Sequence, residues 1–270
     1  MPFVPQASFL WRMYRCLVHT QVEFFAVPER FPDADVLKLC NLPEPYPGVA
    51  NERCPTLVVD LTQSEDELLA AFEAKCRKAI RQCGREGIAV DQLELTEQNW
   101  NTFLTAYYKL LGRKQKAGAL GVGQISELIA SDRFLLTVSR DTEGNNLSWH
   151  SYIVDRGRAR LLNTMSDIDP ERDSKWNNLV GRANRLHHWL DMLRLKQACV
   201  KSYDLGGVYR GTDDPEQINI ARFKSGFGGR FVETFDAAVP LTLKGRLALS
   251  LVAKMGAEAR AGGPTKGALA

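Results

Sequence analysis

The sequence predicts a mixed α/β domain built round one central sheet, and three observations carry that prediction. Two apolar, strand-like runs, at 57–61 and 87–95, flank a stretch of helical periodicity. Three more strand-like runs then come one after another with only short polar turns between them, as in an antiparallel meander. A long helical stretch finally leads into the apolar run 200–205, which stops at the pair Gly206-Gly207. With 270 residues, 44% of them hydrophobic, the chain has the material for one substantial core. A net charge of +3 is too small to mark a nucleic-acid binder, so where the basic residues cluster matters more than their total.

Each element has a local cause. Residues 1–54 are rich in aromatics and proline and end in the turn-forming Pro43-Glu44-Pro45-Tyr46-Pro47-Gly48, which reads as a boundary after a short N-terminal extension. Leu57 to Leu61 is a strand. Thr62-x-x-Glu65 has the spacing of a capping box and predicts one helix running to Arg85. On that helix Leu69, Phe72, Cys76, Ile80 and Cys83 share a face, while Arg77, Arg81 and Arg85, with Lys78 beside them, share another. That basic face is either simply solvated or a stripe for phosphate contacts. Gly87 to Leu95 is a second strand. Trp100, Phe103, Leu104, Tyr107 and Leu111 recur at helical spacing over 97–111.

The meander spans 134–139, 147–154 and 159–164, with hairpin turns at Glu143 to Asn146 and at Arg156 to Arg158. A helix over 177–195, the strand 200–205, a helix from Pro215 to Ser225 with Gly226 as its C-cap, and a strand over 230–235 complete the domain. Leu241 to Met255 reads as an amphipathic helix packed on its own domain, with peripheral membrane contact as the alternative. The Gly/Ala-rich tail after Gly256 has a disordered composition. Cys16, Cys40, Cys54, Cys76, Cys83 and Cys199 show no C-x-x-C spacing, which excludes a zinc ribbon or a thioredoxin motif and suits reduced thiols. No run approaches the ~18 apolar residues of a spanning helix, so a soluble, cytoplasmic protein without an integral membrane segment is expected.

The chemistry concentrates in Tyr203-Asp204-Leu205-Gly206-Gly207 and in Phe223-Lys224-Ser225-Gly226-Phe227-Gly228-Gly229. Glycines at a strand end let a ligand or another backbone approach without a Cβ in the way. Lys224, between an aromatic residue and glycines, either reaches into that opening or caps its own helix. Weaker candidates surround this pair. Arg113-Lys114-Gln115-Lys116, followed by Gly118, Gly121 and Gly123, is a flap or a solvated linker. Asp167-Ile168-Asp169 suits ordinary loop chemistry better than a metal pair. His187 and His188 lie mid-helix, so at most one is expected to face the core, and neither is assigned a metal-ligand partner at i+4. Trp149 and His150 alternate on a strand, so one of them points inward. No metal site is expected.

The two glycine-bearing segments, together with Leu57 to Leu61 and Arg77-Lys78-Ala79-Ile80-Arg81, resemble the FemABX aminoacyltransferases, a branch of the GNAT-fold transferases, over roughly residues 55–240. The resemblance implies an α+β mixed sheet of GNAT-like acyltransferase type over 55–240, after the extension 1–54 and before a helix and flexible tail at 241–270. It implies an enzyme of cell-wall peptidoglycan biosynthesis that transfers an amino acid from aminoacyl-tRNA to an amine of a peptidoglycan precursor or a small peptide-like acceptor, with no bound cofactor. On this reading Lys224 is the electrostatic stabiliser, Phe223 positions the donor, and Asp204 holds the incoming ammonium. Tyr203, Gly206, Gly207, His150 and Trp149 would line the substrate channel, and Arg77, Lys78, Arg81 and Arg85 would take tRNA phosphates. Members of the family often carry two GNAT-like domains, and residues 1–54 are too short for a full first one. The alternatives are an acyl-CoA-dependent N-acyltransferase and an inactive GNAT-like binding module. For the former, Asn178 to Ala183 is only a degenerate match to the Q/R-x-x-G-x-G/A pyrophosphate loop.

Overall fold

The computed structural model of the chain describes residues 18–113 and 132–261. The run Lys114 to Gly123, and Cys16, lie outside the described residues. In chain order the elements begin with strands Thr20–Phe24 (β1), Val36–Leu42 (β2), Asn51–Arg53 (β3) and Thr56–Asp60 (β4). Helices Glu65–Ala71 (α1) and Ala74–Arg85 (α2), strand Ala89–Leu93 (β5) and helix Glu97–Arg113 (α3) come next. The meander is Phe134–Arg140 (β6), Asn146–Asp155 (β7) and Arg158–Ser166 (β8). Helix Ser174–Gln197 (α4), strand Ser202–Gly207 (β9), helix Pro215–Ser225 (α5), strands Arg230–Val232 (β10) and Phe235–Pro240 (β11), and helix Leu243–Ala261 (α6) complete the order. These elements form two compact units, Cys54–Glu233 and a second made of Met1–Arg53 with Thr234–Ala270.

The Cys54–Glu233 unit holds a seven-stranded sheet in the order β10-β4-β9-β8-β7-β6-β5. Every neighbouring pair is antiparallel except β8 with β9. A parallel pair needs a long crossover, and α4 supplies it. Val180, Ala183, Leu186, Trp189, Met192 and Leu195 of α4 join Leu57, Val59, Tyr152, Leu161, Tyr203 and Leu205 in one buried cluster. Phe72 closes this layer, meeting Trp189 and Phe227 edge-on at 5.5 and 5.4 Å. Trp149 faces the other way, where Phe103 of α3 meets it at 6.1 Å.

Two local expectations are corrected. The helix predicted over 65–85 is two helices, because Phe72 and Glu73 are extended (ψ 147 and 148). The guanidinium of Arg77 donates to the carbonyls of Phe72 and of Ala70, the latter at 3.1 Å, and so satisfies backbone acceptors that the break leaves open. The capping box is Ser64 with Glu67, not Thr62 with Glu65. Thr62 is instead tied back to Asp60, its N–H and hydroxyl donating at 2.9 and 2.7 Å. Gly226 does end α5, but in a right-handed conformation (φ −61). The left-handed turn comes later, at Gly228 (φ +68) and Gly229 (φ +88), where the chain passes close over Ala71 and Val58.

The second unit has a four-stranded sheet, β1-β2-β11-β3, with β1 and β2 parallel and β11 antiparallel to both its neighbours. Leu37, Leu39, Leu42, Ala237 and Val239 form its core. The strand predicted over 230–235 therefore ends at Val232, and Phe235–Pro240 joins residues 20–53 rather than the larger sheet. Helix α6 continues past Gly256 to Ala261, where a disordered tail was expected to begin.

Replacing Gly229 by Ala should lower stability by about 2 kcal/mol or more, since left-handed backbone alone costs about 1–2 kcal/mol. Its Cβ would also lie 2.7 Å from the Val58 carbonyl oxygen. Gly84→Ala, in α2 with nothing within 4 Å of the new methyl, should raise stability by about 0.5–1 kcal/mol. Urea unfolding of the two variants measures both signs.

Candidate functional site

The site begins where a ladder stops. Strands β8 and β9 pair through only three couples, Arg158 with Ser202, Ala159 with Tyr203, and Arg160 with Asp204. Both strands continue, and beyond that point a hollow of about 200 Å³ opens. It is lined by Arg160, Leu161, Leu162 and Thr164 of β8, Leu205, Gly206 and Gly207 of β9, and Lys224 of α5. Irregularities on both strands shape it. Leu162 is an extra residue between the couples Ser151–Asn163 and Tyr152–Leu161. Leu205 and Gly206 are two residues set against Leu57 alone, between the couples Thr56–Gly207 and Val58–Asp204. Gly206 is left-handed (φ +79), and a Cβ there would stand 3.2 Å from the Leu161 carbonyl oxygen.

Asp204 frames this opening rather than facing it. The side chain is buried. One carboxylate oxygen accepts from the Gly206 N–H at 2.7 Å and from the Thr56 hydroxyl, and the other accepts from Arg160 at 2.9 Å. With both oxygens occupied, its place is structural, and an incoming ammonium must find its partner elsewhere. Lys224 is the group aimed at the hollow. Its Nζ donates to the Gly207 carbonyl at 2.6 Å, so it reaches across to β9 instead of back to its own helix end. Burial, and secondly the charge of Arg160, pull its pKa from 10.5 down to about 8, against the opposing pull of Asp204. Phe223 is half-buried beneath it, against His188 at 5.7 Å and Phe227 at 5.3 Å, with the Arg185 guanidinium 4.9 Å from its ring centroid.

Tyr203 and His150 lie in a buried polar cluster between sheet and α4. Tyr203 Oη bonds Tyr152 Oη at 2.8 Å and His188 Nδ1 at 2.6 Å. Asp191 accepts from Tyr152 at 2.7 Å, from Thr137 at 3.0 Å and from Arg194 at 2.8 Å, and His150 Nδ1 lies 2.9 Å from it. Asn184 Oδ1 faces His150 Nε2 at 2.8 Å, and His187 bonds the hydroxyls of Ser148 and Thr137, each at 2.8 Å. His187 and His188 are thus both buried, correcting the expectation that only one faces the core. Asp191 also stands four residues after His187, a partner at the spacing where none was assigned. His150, His187 and Asp191 have the chemistry of a metal triad, with ligand atoms within 4.8 Å of one another. Their geometry serves hydrogen bonds instead: the rings of His150 and His187 stack at 3.7 Å and 12°, so their in-plane lone pairs run side by side and do not converge.

The remaining candidates separate. Trp149 lines a different hollow of about 650 Å³ with Lys109, Met165 and Asp167, among others. Arg77, Lys78, Arg81 and Arg85 line a shallow groove of about 350 Å³ on α2. Asn178 to Ala183 lie inside α4, which starts at Ser174 after its cap Asp173, so no phosphate loop forms there. Asp167 pairs with Lys109 at 3.1 Å, and Asp169 caps its own turn through the Glu171 N–H at 3.1 Å. Burial pushes the thiols of Cys76 and Cys83 up to about 12, which keeps them neutral.

No family model matches the chain, and no curated protein matches it. Among solved structures, that of FemX overlaps it with a TM-score of 0.55 at 15% identity, over 67% of this chain. The chain shares the FemX fold. It spans about 61% of the FemX chain. The mixed sheet expected over 55–240 is thereby matched at the level of the fold. Two weaker overlaps accompany FemX. The C-terminal domain of a putative lysylphosphatidylglycerol synthetase from Agrobacterium fabrum has a TM-score of 0.47 at 15% identity, over 81% of this chain and 72% of its own. L-PGS from Bacillus licheniformis has 0.48 at 12% identity, over 83% and 73%.

Burial, and then the neighbouring His150, hold the imidazoles of His187 and His188 well below their usual pKa of 6.5. The unfolded chain therefore binds more protons below that value, so stability is full above it and is lost as pH falls through the window beneath it. Each histidine should contribute a slope of up to about 1.4 kcal/mol per pH unit as pH falls below about 6.5. Urea titrations across that window should show a shallower slope in His187→Gln than in the wild type; an unchanged slope would refute the assignment.

Proposed function

We propose that this protein is an aminoacyltransferase, moving an amino acid from aminoacyl-tRNA to an amine of a peptidoglycan precursor or a small peptide-like acceptor. The observation that carries the reading is the placement of Lys224, whose Nζ lies in the hollow at the parting of β8 and β9, against the Gly207 carbonyl. In such a reaction the neutral amine adds to the ester carbonyl, negative charge grows on the carbonyl oxygen, and the ribose oxygen departs with a proton as the amide forms. A cation held in a partly desolvated hollow stabilises that growing charge more than it would in water. Gly206 and Gly207 leave the approach free of side chains, and Arg160, paired with Asp204, lines the rim. The exposed basic groove on α2 suits the phosphates of a nucleic-acid donor. An acyl-CoA donor is less well supported, since the segment that would cradle its pyrophosphate is the interior of α4.

Purified protein given charged tRNA pools, and separately a panel of acyl-CoAs, should transfer from the charged tRNA; transfer from acyl-CoA alone would overturn the reading. Lys224→Ala should lower the rate by about 10²–10³ with the fold intact. As pH rises, the rate should climb while the acceptor amine loses its proton and then fall through about 8 as Lys224 loses its own. In Lys224→Arg that falling limb should move to higher pH, because the guanidinium keeps its charge.

The α2 groove gives a separate expectation. Lys78→Ala, Arg81→Ala and Arg85→Ala together should weaken tRNA binding without changing the transfer rate at saturating tRNA. The slope of log affinity against log salt should flatten by about 0.7–0.9 for each phosphate contact removed. Filter binding over a salt series measures it, and an unchanged slope would make the face merely solvated. Arg77 is left in place because it also holds the carbonyls of Ala70 and Phe72.

A further inference from the structure

Helix α6 has two unlike faces. On one, Gly245 and Ala248 are buried and Leu249 and Val252 half-buried. Gly245 sits so close to the start of β2 that a Cβ would fall 2.0 Å from the Asp35 carbonyl oxygen. The carboxylate of Asp35 takes Lys244 at 2.7 Å, the Thr242 hydroxyl at 2.7 Å and the His19 N–H at 3.0 Å. Those three partners, Lys244 foremost, hold the Asp35 pKa down to about 2. The helix start is therefore pinned, and its orientation about its own axis is set.

The opposite face carries Leu243, Leu247 and Leu251, which are 77%, 68% and 56% exposed. Spacing of i, i+4, i+8 places them in one line along the helix. At about 100° per residue, Lys244 and Arg246 fall on the two flanks of that line and Lys254 continues it. From Ala237 to Ala257 the sequence contains no acidic residue. An apolar ridge edged by cations is complementary to a surface that is apolar beneath and anionic above. Long basic side chains can lay their stems along the ridge and keep their charges in the headgroup layer.

We propose that the leucine face of α6 docks on the surface of an anionic lipid bilayer, with the helix lying in the interface. It lies on the membrane rather than through it: among the described residues no helix is long and apolar enough to cross one. The three leucines enter the acyl boundary, while Arg246 and Lys254 meet lipid phosphates and Lys244 stays on Asp35. Helix α6 alone supplies these contacts, independently of the transfer reaction.

Co-sedimentation of the full chain with phosphatidylcholine vesicles, with and without phosphatidylglycerol, tests it. The wild type should bind the phosphatidylglycerol vesicles, less so as salt rises, and hardly bind phosphatidylcholine alone. Leu243→Ser, Leu247→Ser and Leu251→Ser combined should cut partitioning about tenfold or more, with an unchanged melting midpoint because all three are exposed. Arg246→Gln with Lys254→Gln should also lower binding about tenfold or more, and only on anionic vesicles. Absence of wild-type binding, equal binding to both vesicle types, or equal binding by the triple-serine variant would each overturn the proposal. A dimer that needs these leucines, without vesicle binding, would overturn it too and assign the face to a second copy of the chain.

Discussion

The larger unit depends on one buried carboxylate. Asp204 lies in the last couple of the only parallel pairing in the seven-stranded sheet, and its oxygens gather Arg160 from β8, Thr56 from β4 and the N–H of Gly206 ahead on its own strand. Three neighbouring strands are thus tied at one point. A charge so placed is tolerable only while every partner stays, since breaking a buried ion pair commonly costs about 3–5 kcal/mol. The same contacts set the path of the next residues of β9. Holding the Gly206 N–H turns the backbone into the bulge, the bulge ends the ladder with β8, and the ended ladder leaves the hollow that Lys224 enters.

Behind that hollow, the polar cluster between the sheet and α4 does for orientation what apolar packing cannot. Leucines slide past one another at little cost, whereas a row of hydrogen bonds has one register. Tyr152, Tyr203, His150, His187 and Asp191 fix the rotation of α4 against β6, β7 and β9 through bonds of 2.6–3.0 Å. His188 carries the chain of contacts toward the site, with Phe223 and Phe227 packed on its ring. Among the described residues its buried Nε2 has no hydrogen-bond partner. That cost is consistent with an imidazole held neutral by burial.

Much of this was legible in the sequence wherever the cause is local. The hairpin at Arg156-Gly157 follows from turn chemistry, and both residues do adopt positive φ. Pro215, with Asp214 before it, marks the start of α5 for the same reason. Features with distant causes could not be read. The break at Phe72 and Glu73 interrupts a sound helical periodicity, and the Glu73 N–H there donates at 3.0 Å to the carbonyl of Gly226, far along the chain. The burial of both His187 and His188 defeats a wheel that assumes one core face, because α4 is covered by the sheet on one side and by α1, α2 and α5 on others. Phe235–Pro240 pairs with strands nearly two hundred residues earlier, and no window-based reading finds such a partner. Asp191 is a different case, because its i, i+4 spacing from His187 is itself legible in the sequence.

Lys224 supplies the strongest link between stability and function. Its pKa is lower in the folded chain than in the unfolded one, about 8 against 10.5. Between those values the unfolded chain binds more protons, so stability rises with pH across that window, and below it the charged lysine disfavours the fold. A lysine kept only for packing would gain nothing from this arrangement; a methionine of similar length would fill the space without the desolvated charge. The hydrogen bond to Gly207 returns part of the cost but does not require a cation, since a neutral amine donates as well. Under the proposed transfer, the cation beside the bulge would act on the negative charge that grows on the ligand. A partly desolvated positive charge, held in advance where an oxyanion would form, is the form of preorganisation that stabilises a transition state more than a ground state.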